Sequence, residues 1–244
     1  MTYRRILAVG DIHGHFEKFR SAYEKAKVDA ADDLLVFLGD YIDRGPSVRR
    51  TLEFVMKLAE EKNVVLLRGN HEQMMLDYFF GGATGEGWLM NGGRETMAEL
   101  LAWEKEAPGS IARVLAFLRE LPLSHTVEQE GERYFFAHAG VRPGVAFEEQ
   151  RSNDLLWIRE EFYEHYAGDD IVVAGHTPTL FLDGRGKPLF LNERIILADI
   201  REGENLRKIF MERKPDIVFH AAALKHVSAL EAYPEEAWKT NTLG

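Results

Sequence analysis

Three times in the first third of the chain an apolar run ends in a polar turn that carries glycine, and each turn is followed by helical spacing of apolar residues. The runs are 4–9, 34–38 and 64–67. Their turns are Gly10-Asp11-Ile12-His13-Gly14, Gly39-Asp40-Tyr41-Ile42-Asp43-Arg44-Gly45 and Arg68-Gly69-Asn70-His71-Glu72. Strands that alternate with helices predict a mostly parallel sheet with covered faces, in which ligands bind beyond the carboxyl ends of the strands. All three turns occupy that position. Two later runs, 132–137 and 171–174, end in the same manner at His138-Ala139-Gly140 and Gly175-His176-Thr177. Between the two groups, 77–93 holds six glycines with Phe79, Phe80 and Trp88, and reads as a loop over something rather than as core. Helices are expected over 94–104, 110–120 and 154–166, and a hairpin over 124–137.

The residue types available restrict the chemistry. With no cysteine in the chain, disulfides, thiolate zinc sites and cysteine nucleophiles are excluded. A net charge of −10 disfavours a broad nucleic-acid surface, although a local arginine or metal site can still hold phosphate. No apolar run approaches the roughly 20 residues of a membrane span, and residues 1–10 lack a signal-peptide pattern. The expectation is therefore a cytoplasmic protein without nucleic-acid or membrane partners. At 45% hydrophobic residues over 244 positions there is ample core for one large domain.

Each polar residue has an ordinary explanation when taken singly. Asp43 and Asn70 can cap the helices that follow them, His138 between two alanines can be a core histidine, and Arg159 can be an exposed helix arginine beside Glu160 and Glu161. His71-Glu72 does not open a zinc-protease helix, because Met75 stands where the second histidine is required. Taken together, the strand ends crowd Asp11, Asp40 and Asp43 at one edge beside His13, Asn70, His71, His138 and His176. Carboxylates a few ångströms apart repel unless cations lie between them. Aspartate, histidine and asparagine without thiolate suit Mn²⁺, Fe or Zn²⁺, and two ions sharing one carboxylate fit the number of ligands.

The five motifs GDIHG at 10–14, GDYIDRG at 39–45, GNHE at 69–72, HAG at 138–140 and GHT at 175–177 resemble, in order, those of the bacterial and phage phosphoprotein phosphatases. That family is a branch of the calcineurin-like binuclear metallophosphoesterases. WLMNGG at 88–93 and LLWIRE at 155–160 also look like its bacterial members. The resemblance implies an α/β fold with a β-sandwich core flanked by helices over 1–195, and two divalent ions, Mn²⁺ ahead of Fe or Zn. Asp11, His13 and Asp40 would hold one ion and Asp40, Asn70, His138 and His176 the other, with Asp40 as the bridge. His71 would be the general acid and Asp43 its orienting partner. Arg44, Arg159 and Asn70 would bind the phosphate, and a metal-bridging hydroxide would attack directly, without a phosphoenzyme. The implied substrate is a phosphoprotein, on serine or threonine with tyrosine behind them, or a small phosphoester. A symmetrical dinucleoside polyphosphate hydrolase is the alternative within the class.

From 196 onward the chain resembles a different family, the extended short-chain dehydrogenases that act as nucleotide-sugar dehydratases. The matching text is LADIRE at 197–202, PDIVFHAAALKHV at 215–227 and PEEAWKTNTLG at 234–244. Its hydrophobic pattern reads as a βαβ unit of Rossmann type. Residues 196–244 lack the glycine-rich dinucleotide turn and the Tyr-x-x-x-Lys pair, so they are expected to be a non-functional fragment packed on the phosphatase sheet by strand addition. An inactive fusion, or a nucleotide-sugar-binding fragment, is the alternative from another class.

Overall fold

The computed structural model describes residues 3–81, 86–179, 182, 189–191, 193–197 and 218–219. Strands β1 (Arg5–Val9), β2 (Asp33–Phe37) and β3 (Val64–Leu66) are parallel neighbours in the order β3-β2-β1. The second sheet has the order β4-β5-β6-β8-β7, from β4 (Ser124–Gln129), β5 (Glu132–Ala137), β6 (Ile171–Ala174), β7 (Leu189–Leu191) and β8 (Ile195–Leu197). Strands β5, β6 and β8 run parallel, and β4 and β7 close its two sides antiparallel. Along the free side of β1 lies β9 (Val218–Phe219), parallel, with Ala8 opposite Val218 and Val9 opposite Phe219.

Side-chain alternation explains why the strands are apolar throughout. Leu7, Val9, Leu35 and Phe37 point to the helical layer, whereas Ile6, Ala8, Leu34, Val36 and Leu38 meet Phe136 and Val173 of the second sheet. Phe135, Ala137, Val172 and Ala174 face the opposite way, against Leu155 and Phe162. The outcome is a sandwich of two sheets with helices on both outer faces. On the first sheet lie α1 (Phe16–Ala26), α2 (Val48–Leu58), α3 (Asn70–Phe80), the single turn α4 (Glu86–Trp88), α5 (Arg94–Glu106) and α6 (Ser110–Glu120). On the second lie α7 (Ser152–Trp157) and α8 (Glu160–His165). No helix among the described residues is long and apolar enough to cross a membrane.

Several sequence expectations change. One parallel sheet accounts for the first three motifs only; HAG and GHT end strands of the second sheet. The stretch read as a loop over 77–93 contains the end of α3 and a Trp88 that is 1% exposed, among the largest fully buried side chains. The helix expected over 154–166 breaks into α7 and α8, and Arg159 stands at the N-cap of α8 with φ −136° and ψ −105° rather than on a helix face. Of the tail, β8 carries the backbone through residue 197, and Val218–Phe219 add to β1 as the strand-addition expectation has it. The remainder of 196–244 lies outside the described residues.

One buried carboxylate ties the start of the first sheet together. Asp33 accepts from Arg4 Nε at 3.0 Å and Nη2 at 2.9 Å, from Arg5 Nε at 3.2 Å and from the Asp29 backbone N–H at 2.9 Å. Burial pushes its carboxyl up, but the Arg5 and Arg4 guanidiniums and the Asp29 N–H outweigh it and hold it well below the usual carboxylate range. A carboxyl depressed on folding stabilises the native state above its unfolded pKa near about 3.9, and that stabilisation is lost as pH falls through the folded value. Asp33→Asn should therefore lower the unfolding free energy at pH 7 by about 1–3 kcal/mol. The gap between the two proteins, measured by urea titration across pH, should narrow below about pH 4.

Candidate active site

The five motifs meet where the two sheets abut. Their turns do not rely on glycine alone for left-handed backbone: His13 (φ 47°), Asp40 (56°), Asp43 (71°), Arg44 (68°) and His176 (59°) all adopt it. Such conformations cost of order 1–3 kcal/mol each and persist only where surroundings enforce them. Glycines serve instead to let the turns touch. A Cβ on Gly45 would lie 2.1 Å from the His13 carbonyl oxygen, and one on Gly69 would lie 2.2 Å from Asp40 Oδ1.

Glu72 enforces the central turn. Its buried carboxylate accepts the N–H groups of Asp40 (2.8 Å), Tyr41 (2.9 Å), Ile42 (3.3 Å) and Gly69 (2.9 Å). Burial, then the charge of Asp40, push its carboxyl up to about 8, against the N–H groups of Asp40 and Gly69. In the sequence Glu72 stands within GNHE without an assigned role. The signal was present, since Glu three residues after the helix-capping position commonly reaches back to it. Gly69 is that cap, so Asn70 is the first helical residue and its side chain is not a cap.

Two groups of donor atoms share Asp40. On one side His13 Nε2 lies 3.4 Å from Asp40 Oδ2 and 4.0 Å from Asp11 Oδ2. On the other, His138 Nε2 lies 3.6 Å from Asp40 Oδ1, 2.7 Å from Asn70 Oδ1 and 3.2 Å from His176 Nδ1, and that nitrogen lies 3.1 Å from Asn70 Oδ1. Donors about 2.1 Å from one ion and at right angles to each other sit about 3 Å apart, and the separations here run from 2.7 Å to 4.0 Å. The trios His13–Asp40–His71 and Asp11–Asp40–His138 each bring all their ligand atoms within 4.8 Å, and all these residues are buried.

Hydrogen bonds fix the tautomers in the form a metal needs. His13 Nδ1 is 2.8 Å from the Ile42 carbonyl and His138 Nδ1 is 2.9 Å from the Leu38 carbonyl. A carbonyl only accepts, so each Nδ1 carries the hydrogen and each Nε2 presents a lone pair to the cluster. Burial first, with the Arg44 charge behind it for His13, keeps both rings neutral by lowering their pKa; burial, then His138, does so for His176. Burial and the nearby Asp11 push the Asp40 carboxyl well up, outweighing the Arg44 charge and the His71 N–H, which lower it. The donor set thus fits two divalent ions.

The remaining predicted residues border this cluster. His71 Nδ1 is 2.6 Å from Asp43 Oδ2, and its Nε2 is 4.0 Å from Asp40 Oδ2. Arg44 spans two imidazoles, with Nη1 2.6 Å from His13 Nε2 and Nη2 2.8 Å from His71 Nε2, while its buried Nε has no hydrogen-bond partner. Arg159 is half-buried, and its charge is felt at both His138 and His176. Two residues before it, Trp157 is 40% exposed and sets its ring edge-on to His176 at 6.0 Å.

A sandwich of two sheets with metal-ligand clusters at the strand ends defines a metallophosphoesterase-like protein. The model of the calcineurin-like phosphoesterases matches residues 4–221, and the chain belongs to that family of phosphoric ester hydrolases. It is 34% identical to serine/threonine-protein phosphatase 1 of Salmonella typhimurium over 185 residues, 72% of this chain and 80% of that protein. To a symmetrical bis(5'-nucleosyl)-tetraphosphatase of Aromatoleum aromaticum it is 36% identical over 147 residues, 60% of this chain and 48% of that protein, so it spans about half that relative's length. Among solved structures, a protein serine/threonine phosphatase from Saccharomyces cerevisiae shares the fold, with TM-score 0.53 and 16% identity over 79% of this chain and 69% of that one.

Reloading the chelated protein with Mn²⁺ should bring elemental analysis to two ions per chain. Asp40→Ala should lose both and His138→Ala one, and full loading of Asp40→Ala would refute a shared ligand.

Proposed function

We propose that the chain hydrolyses phosphomonoesters on proteins, with phosphoserine and phosphothreonine ahead of phosphotyrosine, and that residues 1–195 form the catalytic domain. Asp11, His13 and Asp40 are assigned to one divalent ion, and Asp40, Asn70, His138 and His176 to the second, with Mn²⁺ favoured over Fe or Zn. The chemistry supplied by bound ions is electrophilic charge on the phosphate and a water activated as nucleophile. The observation that carries the reading is the Asp43–His71 contact at 2.6 Å, with the other imidazole nitrogen 4.0 Å from the shared carboxylate. That contact supports a carboxylate-steered acid beside the cluster, where the leaving oxygen of a monoester needs a proton.

Asp43 accepts from Nδ1–H of His71, which leaves Nε2 as the nitrogen that gives up a proton. Arg44 now donates to that Nε2. An incoming phosphate dianion suits the guanidinium fork far better than a neutral imidazole does, and its oxygens also satisfy the buried Nε of Arg44. With the fork on the phosphate, Nε2 is free to carry its proton. Water adds to phosphorus and loses one proton to solvent. The bond from phosphorus to the alcohol oxygen breaks, its electron pair stays with that oxygen, and the proton on His71 Nε2 neutralises it. Asn70 and Arg159 complete the phosphate contacts.

The 34% identity to a serine/threonine phosphatase over most of both chains supports the protein substrate. A second reading, hydrolysis of a symmetrical dinucleoside polyphosphate, draws on the 36% identity to such an enzyme and on the exposed Trp157 beside His176, a face on which a base can stack. The segment 196–244 is proposed to contribute no residue to the chemistry. His71→Asn should lower kcat on a phosphoserine peptide by roughly 10²- to 10⁴-fold, and undiminished turnover would remove the acid. In direct competition, the phosphopeptide should be consumed ahead of a dinucleoside tetraphosphate, and the reverse order would select the second reading.

A further inference from the structure

The stretch from Trp88 to Gly93 contains no charged residue and no ligand to the metal cluster, yet it is built against the acid. The indole N–H of Trp88 donates to both oxygens of Asp43, at 3.1 Å to Oδ1 and 2.9 Å to Oδ2. At the start of α5, the Thr96 hydroxyl accepts the Asp43 backbone N–H at 2.9 Å and donates to Asp43 Oδ1 at 2.6 Å. Asp43, Trp88 and Thr96 are all fully or almost fully buried. Between them the chain makes a kinked turn, Leu89–Gly93, with Gly92 at φ 103°.

Both glycines of that turn are explained by what they touch. A Cβ on Gly92 would lie 2.9 Å from Arg44 Cγ and 3.0 Å from the Arg44 backbone nitrogen, and the Gly92 carbonyl accepts the Arg44 N–H at 3.4 Å. On Gly93 a Cβ would lie 2.5 Å from the Trp88 ring. Gly92 thus lets the turn close on Arg44, and Gly93 lets it fold over the indole. Residues 88–96 hold Asp43 by its carboxylate and backbone N–H, and the neighbouring Arg44 by its backbone N–H.

We infer that Trp88 and Thr96 are positioning residues for proton donation: they fix the rotamer of Asp43, and so aim the His71 imidazole at the leaving oxygen. The inference rests on the proposed role of His71 as acid. Two donors, the Trp88 indole and the Thr96 hydroxyl, converge on one carboxylate in three hydrogen bonds, which leaves it a single orientation in which an oxygen also faces His71 Nδ1. Removing either donor leaves the charge and metal ligands in place but frees the carboxylate to turn. A misplacement near 1 Å is enough to cost about 100-fold in a proton transfer.

Leaving-group dependence separates aim from general damage. An alkyl phosphate, whose alkoxide is a poor leaving group, needs the proton. The phenolate of p-nitrophenyl phosphate departs with little help. Trp88→Phe and Thr96→Val, loaded with Mn²⁺, should each lose roughly 10- to 100-fold in kcat on a phosphoserine peptide. On p-nitrophenyl phosphate each should lose less than about 3-fold, with KM and metal content unchanged, and Thr96→Ser, which retains the hydroxyl, should restore the peptide reaction. Equal losses on both substrates, or no loss on the peptide, would overturn the inference. His71→Asn serves as the reference. Selective loss in His71→Asn without it in the other two overturns the positioning role alone, whereas no selectivity in His71→Asn overturns the acid and the positioning role with it.

Discussion

The four backbone N–H groups that converge on Glu72 hold the turn from Asp40 to Ile42 in a conformation it would not adopt unaided. Asp40 sits at φ 56°, so the side chain between the two donor groups depends on a carboxylate from the first turn of α3. The same helix start returns a second contact, the His71 N–H to Asp40 Oδ1 at 3.1 Å. A helix N-terminus favours negative charge, so the amide dipoles of α3 partly offset the crowding of Asp11 and Asp40. Divalent ions would offset the remainder. Strain, charge and ligand geometry are therefore set by one small set of hydrogen bonds.

A second dependence runs between the sheets. His138 and His176 come from strands far along the chain, and the first sheet holds both in place. His138 Nδ1 donates to the Leu38 carbonyl across 100 residues of sequence, and the His176 N–H meets Asp11 Oδ1 at 3.2 Å across 165. Contacts this distant form only once the sandwich has closed over Ile6, Val36, Phe136 and Val173. The donor group around His138 is consequently a property of the whole sandwich, while Asp11, His13 and Asp40 come from neighbouring strands of one sheet. Strand β8 pairs with β6, whose end carries His176, so the second sheet reaches its full width only with residues 195–197 in place.

Much of the site is legible in the sequence because metal ligation demands particular residue types, and those types stand at the ends of apolar runs. Asp11, His13, Asp40, Asn70, His138 and His176 are found together, as are Asp43, His71 and Arg44. What the sequence hides is conformational or cooperative. Left-handed backbone at Asp40, Asp43 and Arg44 is invisible because nothing in their chemistry requires it; it is imposed by Glu72 and by the turn at Gly92. Trp88 in a glycine-rich segment reads as part of a loop over something rather than as core, since composition does not reveal that its indole N–H has a buried carboxylate to meet. The division of five similar motifs between two sheets is hidden too, because a parallel strand buried on both faces looks the same in either. The resemblance of 196–244 to dehydratases touches the described fold only at β8 and at Val218–Phe219.

The central claim is that one carboxylate, Asp40, serves two ions at once. Electron paramagnetic resonance on the fully Mn²⁺-loaded protein reads this directly, because two ions joined through a shared ligand are magnetically coupled. The account predicts the multiline spectrum of a coupled Mn²⁺ pair, replaced in Asp40→Asn by the six-line signal of isolated ions or by no bound signal. A six-line spectrum of isolated ions from the fully loaded parent protein would contradict it.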